Sequence, residues 1–295
     1  MELPENFDFD AVLARMEARG KGGKGDVAAQ TNPDTKIVPL PIWPDGFRGV
    51  PNGILRSALF GAIKRGRRAF QNNETKASLK GVVIRYTGQQ LDQADLDVWE
   101  YCLHICREKG LGIVLEFSTY QCLKGINRAQ GGRNAEWLRS VLQRLLTGAI
   151  SVEEGRFRYS GTLIHHYLYN GEQRKNTVVL NPNLISIYHA GWTQIEWEQR
   201  EKLRGHPLAQ WMHGFYCTHA NPYPIRMTTL HNLSGSENES MHSFKRSVTD
   251  AVNELNEKLE WKCHLDEKGL VHIDRPATAS QERYIHNSGN AYSRE

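Results

Sequence analysis

Apolar positions along the chain recur at two periods, and each change of period marks where an element begins or ends. From Asp92 to Lys109, the residues Leu96, Trp99, Leu103 and Cys106 fall on one helical stripe, and Gly110 stands where a helix C-cap belongs. Ile113 to Phe117 reads as a short strand, Ser118 can cap a short helix to Arg128, and Gly131-Gly132 makes a turn. A longer helix from about Arg133 to Thr147 turns Trp137, Leu138, Val141, Leu142 and Leu145 inward. Ile150-Ser151-Val152 and Arg156-Phe157-Arg158-Tyr159 then flank Glu154-Gly155, a hairpin signal.

The same order returns further on. Trp197 to His219 is helical, with Gly205 and Pro207 bending or interrupting it. Pro224 to Met227 is a short strand, and Thr228 or Thr229 caps a short helix that Gly235 ends. A long helix from about Asn238 to Glu260 carries Met241, Phe244, Val248, Val252, Leu255 and Leu259 on one face. Trp261 to Leu265, the turn Asp266-Glu267-Lys268-Gly269 and Leu270 to Asp274 form a second hairpin. Helix, strand, short helix, turn, long helix, hairpin is the order of a winged helix, a helix-turn-helix whose second helix enters a DNA major groove.

Two copies lie about 110 residues apart, Phe117 against Met227. The expected fold is therefore α+β, two tandem winged-helix domains at 37–190 and 191–276. Around them stand a flexible N-terminal arm, 1–36, and a polar tail, 277–295, read as frayed. The arm holds the run Gly20-Lys21-Gly22-Gly23-Lys24-Gly25, which cannot pack, and Pro39, Pro41 and Pro44 keep the following segment extended.

Charge sharpens this picture. The whole chain carries +4, but residues 1–35 are net −3, 36–180 net +9 and 181–295 net −2. A basic excess confined to the first folded half points to a polyanion partner for that half. The compact cluster Lys64, Arg65, Arg67, Arg68 and the scattered Lys124, Arg128, Arg133, Arg139 and Arg144 are the candidate phosphate contacts there, with Arg156 and Arg158 on the hairpin. In the second half, Ser240, His242, Ser243, Lys245, Arg246 and Thr249 line the outward face of the last long helix, and Lys268 tips its hairpin. An arginine there can make a bidentate contact to guanine, whereas Asp250, Glu254, Glu257 and Glu260 repel phosphate, so only the first two turns should touch DNA.

Other chemistry finds no support. No Gly-Lys-Ser/Thr phosphate loop is present, and no His-x-His pair. His165-His166-Tyr167 are adjacent on a predicted strand, so their side chains point to opposite faces and cannot converge on one metal, which disfavours a rolling-circle DNA nickase. Cys102 and Cys106 share a helical face, but an apolar one. No metal and no cofactor is expected, and no enzymatic activity. The five cysteines form no Cys-x-x-Cys pair, no apolar run reaches the ~18 residues of a membrane span, and Met1 to Glu5 is acidic, unlike a secretory leader. A cytoplasmic protein is expected. The uncharged stretch Thr162 to Tyr169, with Leu163, Ile164, Tyr167 and Leu168, is a long β-prone strand that would invite pairing with a second copy if exposed.

Several short elements resemble one known family. Trp43-Pro44-Asp45, Pro51-Asn52-Gly53 and Arg56-Ser57-Ala58-Leu59-Phe60 look like the segment preceding the first winged helix of TrfA-type plasmid replication initiators. Tyr86-Thr87-Gly88, Leu91, Asp95 and Val98-Trp99 resemble the start of that winged helix, and Trp197-Glu198, Tyr223-Pro224 and the Phe244 to Leu255 helix look like the second domain. The resemblance covers about residues 37–275. It implies a protein without catalytic activity that binds double-stranded DNA at direct repeats (iterons) of a plasmid origin. By the same resemblance it would help to open the origin, engage the host initiator and replicative helicase, and self-associate to a dimer through the first domain. Some relatives carry a sliding-clamp motif of the Gln-Leu-x-Leu-Phe kind. Here Lys36 to Pro41 and Gln90-Leu91-Asp92 depart from it, which argues against clamp binding. A winged-helix transcriptional regulator is the competing reading; iteron arrays beside the gene, rather than a lone palindrome, would decide between them.

Overall fold

In a computed structural model the described residues are 36–64, 66 and 68–292, with side chains to His286. Residues 1–35, all but the last of the arm expected at 1–36, lie outside them, as do Arg65, Arg67 and 293–295. Helices and strands are mixed along the described region. β1 (Phe47–Pro51), α1 (Asn52–Leu55) and β2 (Phe60–Gly61) lead into the hairpin β3 (Phe70–Lys76) and β4 (Val82–Gln89). After β5 (Leu91–Asp92) come α2 (Gln93–Cys106), β6 (Val114–Ser118), α3 (Thr119–Gly125) and α4 (Gly132–Thr147). Four strands follow: β7 (Ala149–Glu154), β8 (Phe157–Thr162), β9 (Ile164–Asn170) and β10 (Lys175–Leu180). A 3-10 turn and α5 (Ile185–Tyr188) then lead to β11 (Trp192–Glu196). The second half holds α6 (Trp197–Lys202), α7 (Pro207–Cys217), β12 (Ile225–Arg226), α8 (Met227–Ser234), α9 (Met241–Leu259), β13 (Lys262–Leu265), β14 (Leu270–Asp274) and α10 (Ala279–Tyr292).

Local chemistry explains the main helices. α2 starts at a capping box: the Asp92 carboxylate accepts from Ala94 N and Asp95 N at 2.9 Å each, while Asp92 N donates to Asp95 Oδ2. Ser118 and Gln121 form the same box at α3. The expected threonine cap of α8 does not occur, because the helix begins at Met227 after Arg226, and both threonines lie inside it. Gly235 ends α8 at φ +60, a left-handed conformation that glycine adopts freely. The tail read as frayed carries α10, anchored at its start where Gln281 Nε2 donates to Cys217 O and Arg275 Nη2 to His219 O, both at 2.8 Å.

The sheets hold a correction. The hairpin expected after α4 forms as β7–β8, but it joins a four-stranded antiparallel sheet of order β3-β4-β7-β8. The strand β6 pairs instead with β10, giving a sheet of order β6-β10-β9. In the second half β12, β14 and β13 make a sheet of order β12-β14-β13, so the two sheets share one topology: the strand before the short helix pairs with the return strand of a hairpin. The uncharged stretch at 162–169 is therefore not one strand. Thr162 closes β8, Leu163 sits at the corner, and Ile164 opens β9.

Buried side chains fall into two clusters. The first runs from Leu40 and Trp43 to Ile195 and Trp197, so residues expected to open the second domain pack with the first. The second runs from Leu203 to Ile273 and includes Ala62 from the first half. β1 pairs antiparallel with β11 and closes the first half, while backbone hydrogen bonds stitch the halves together: Trp197 N donates to Gly46 O at 2.8 Å, and Ala62 N to Ser234 O at 2.7 Å. Among the described residues no helix is long and apolar enough to cross a membrane.

Candidate nucleic-acid interface

The predicted recognition surface starts at α9. Ser240 is its N-cap, its hydroxyl accepting from Ser243 N at 3.1 Å. Phe244, Val248, Ala251, Val252 and Leu255 are buried, which turns His242, Lys245, Arg246 and Thr249 to solvent. Ser243 is half-buried and returns its hydroxyl to Ser240 O, and Thr249 Oγ1 donates to Lys245 O. Beside α9, the β13–β14 turn is shaped by Asp266, which accepts from Leu270 N at 2.8 Å and from Gly269 N at 3.1 Å. A hydrogen bond with His272 holds the Asp266 carboxyl below its ordinary value. The turn presents Lys268 to solvent, and Arg226, which the sequence reading passed over, is exposed at the start of α8.

In the first half the predicted cations divide into two groups. Lys124 on α3 and Arg133 in the first turn of α4 are exposed. Arg128 stacks on the Trp137 ring at 3.5 Å and donates to Asn134 Oδ1, and Arg139 lies 5.0 Å over Tyr169 of β9. These four share the α3–α4 helix pair with the hairpin β9–β10. Arg156 and Arg158 do not belong to this group. They are exposed on the β7–β8 hairpin, Arg156 over Phe157 and Arg158 paired with Glu153 at 3.7 Å.

Two arginines expected on phosphates are structural. Arg144 is buried and binds Asp95, Nη2 to Oδ1 at 2.7 Å. Arg68 pairs with Asp92 and, at 3.1 Å, with Asp95, leaving its side chain 15 % exposed. Burial lifts the Asp95 carboxyl to about 6, neighbouring Asp92 adds to the rise, and Arg144 and Arg68 oppose it. The four groups together tie the basic loop and α4 to the first turn of α2. Of the basic cluster, only Lys64 remains as an exposed described cation.

The residues expected to pair two copies are also redistributed. Leu163 and Ile164 are 1 % and 0 % exposed in the first cluster and cannot reach a partner. Tyr167 and Leu168 are half-buried on β9, with the Tyr167 hydroxyl donating to Asn176 Oδ1. His165 is exposed and His166 half-buried on that strand. Cys102 and Cys106 lie in the core, where burial raises both thiols.

The sequence reading also missed the turn after β9. Asn170-Gly171, between the uncharged runs 164–169 and 176–180, is a hairpin signal; Glu172, Gln173 and Arg174 complete the turn and Lys175 opens β10, all four exposed.

Domains 2 and 3 of RctB, in a crystal structure of their selenomethionine derivatives, align at a TM-score of 0.51 and 11 % identity, covering 76 % of this chain and 96 % of that one. That likeness is one of fold. The plasmid replication initiator protein TrfA of Escherichia coli is 30 % identical over 223 residues, 72 % of this chain. The chain spans 58 % of the length of that relative. The family model for TrfA protein matches residues 30–275, and by that match the chain belongs to the TrfA family.

Proposed function

We propose that the chain is a plasmid replication initiator whose two helix-turn-helix modules are tandem winged helices that bind double-stranded DNA at origin iterons. The observation that carries this reading is the solvent face of α9. A buried apolar stripe fixes the helix against the second cluster, and His242, Lys245 and Arg246 project from its first two turns. This suits a major-groove reader whose acidic far end, including Glu257, stays clear of phosphate. The first module, bearing most of the positive charge, supplies phosphate contacts through Lys124, Arg133 and Arg139. Family membership supports the origin as the target, and the same reading assigns the host initiator, the replicative helicase and a second copy of the chain as partners. It assigns no catalytic step.

The test is a footprint of the full chain on DNA flanking its own gene. Protection of regularly spaced direct repeats is expected; protection of a single palindrome would replace initiation by transcriptional regulation. Arg246→Ala should then cost about 1–3 kcal/mol of discrimination between cognate and scrambled repeats. Equal weakening on both would move the base contact away from α9.

A further inference from the structure

The two small sheets correspond where the strand before the short helix meets the tip of the hairpin. In the second module Arg226 pairs with Leu270, and the next amide, Met227 N, donates to Gly269 O at 3.1 Å. In the first module Ser118 pairs with Lys175, and the next amide, Thr119 N, donates to Arg174 O at 3.4 Å. Arg174 thus stands where Gly269 stands, and both are left-handed, φ +52 against +76. Glycine takes that conformation freely, whereas an arginine there is strained. Strained residues of this kind cluster at binding sites and ligand clamps.

We propose that the tip of the β9–β10 hairpin is a further DNA contact of the first module, with Arg174 and Lys175 on backbone phosphates. This assignment rests on the DNA-binding reading above and goes beyond it. It moves the first wing away from the β7–β8 hairpin, whose Arg156 and Arg158 lie in a sheet that never meets β6. Geometry supports the move. Glu172 to Lys175 are all exposed, and Arg139, stacked over Tyr169 near the end of β9, continues the cationic surface from α4 to the hairpin. Phosphate contacts add affinity without sequence preference and with a salt dependence, so the signature is specific.

The experiment compares the full-length wild type with Arg174→Gly, Arg174→Lys, Lys175→Ala and the pair Arg156→Ala/Arg158→Ala. Affinity for cognate and scrambled repeats is measured across a salt series, with Tm recorded alongside. Arg174→Gly should raise Tm while weakening both DNAs several-fold, and should flatten the log–log salt slope by about 0.9. Lys175→Ala should flatten it similarly without the gain in Tm. Arg174→Lys should keep the slope, and the Arg156/Arg158 pair should leave it unchanged. If wild type binds DNA and neither Arg174→Gly nor Lys175→Ala alters affinity or slope, the assignment falls and the DNA-binding reading stands. Wild type that binds neither DNA removes both.

Discussion

Arg200 on α6 meets Asp97 on α2 at 2.7 Å, Nε to Oδ1, with its guanidinium side chain only 1 % exposed. Glu100 Oε2 lies 3.3 Å from the same nitrogen, and Arg200 Nη2 also donates to the backbone and side-chain oxygens of Gln93. One cation from the second half is thus the buried partner of three residues on a helix of the first. Burial lifts the Glu100 carboxyl to about 7, against the pull of Arg200.

Arg200→Met should therefore cost about 3–5 kcal/mol, because Asp97 and Glu100 would remain buried without compensation. Adding Glu100→Gln should restore part of that loss. Denaturant unfolding checks it: wild type should unfold in one transition, and Arg200→Met should separate the two halves into two. An unchanged midpoint would mean that the network couples nothing.

Arg68→Ala offers a contrast between two roles for one cation. On charge alone Arg68 belongs with the phosphate contacts, but Asp92 and Asp95 already hold it at the start of α2. The variant should lose about 1–3 kcal/mol of stability and leave the salt slope of DNA binding unchanged. A flatter slope at full stability would return Arg68 to the DNA.

Leu163→Lys and Leu168→Lys should part company as well. Leu163 is 1 % exposed, and a lysine there places an unpaired charge in the core, so the chain should unfold rather than change its association. Leu168 is half-buried on β9 and should tolerate lysine. Sedimentation of Leu168→Lys then reports whether β9 mediates self-association, a dimer-to-monomer shift being the expected result.

His213 gives stability a dependence on pH with a defined sign. It is fully buried, its Nε2 lies 3.1 Å from Gln199 Oε1, and burial lowers it from 6.5 to about 3. The unfolded chain therefore takes up a proton that the folded chain refuses, and stability is lost as pH falls below 6.5. At ~1.4 kcal/mol per pH unit, the loss between pH 7 and 5 is about 2 kcal/mol. His213→Gln should remove it, so wild-type stability relative to the variant should be about 2 kcal/mol lower at pH 5 than at pH 7. Glu100, raised, acts with the opposite sign as pH rises toward 7, and it cancels in the comparison. A difference constant with pH would show that His213 does not titrate on unfolding.

Periodicity made most of the helices legible, because burial follows the stripe. Phe244, Val248, Val252 and Leu255 are buried as their spacing requires, and Ser118 caps the helix it was expected to cap. What sequence could not resolve was pairing across long separations. Nothing local distinguishes Arg144, bonded to a carboxylate 49 residues away, from Arg133, which stays in solvent. The Trp43-Pro44-Asp45 element is similar. Its indole donates to His104 Nδ1 at 3.2 Å, and Asp45 holds Arg107, so it anchors the approach to the first cluster. Arg56, in turn, reaches Thr218 through Oγ1 at 2.8 Å and the carbonyl at 2.7 Å. The hairpin that pairs with β6 has a plainer story: Asn170-Gly171 is a readable turn signal, but it follows an uncharged run, 162–169, whose composition suggests a single strand.

The pairing of β1 with β11 also sets a clock. Phe47 lies opposite Glu196, so the first strand of the fold waits for a partner made roughly 150 residues later. At a synthesis rate of ~5–20 residues per second, that interval is about 7–30 s. Throughout it, Val50 and its neighbours have no strand to cover them, and Ile195 and Trp197 have not yet joined the core they complete. The nascent chain thus spends that interval with the first half made but not closed. Holdase chaperones acting on the ribosome-bound chain should find their substrate there, before the second half emerges.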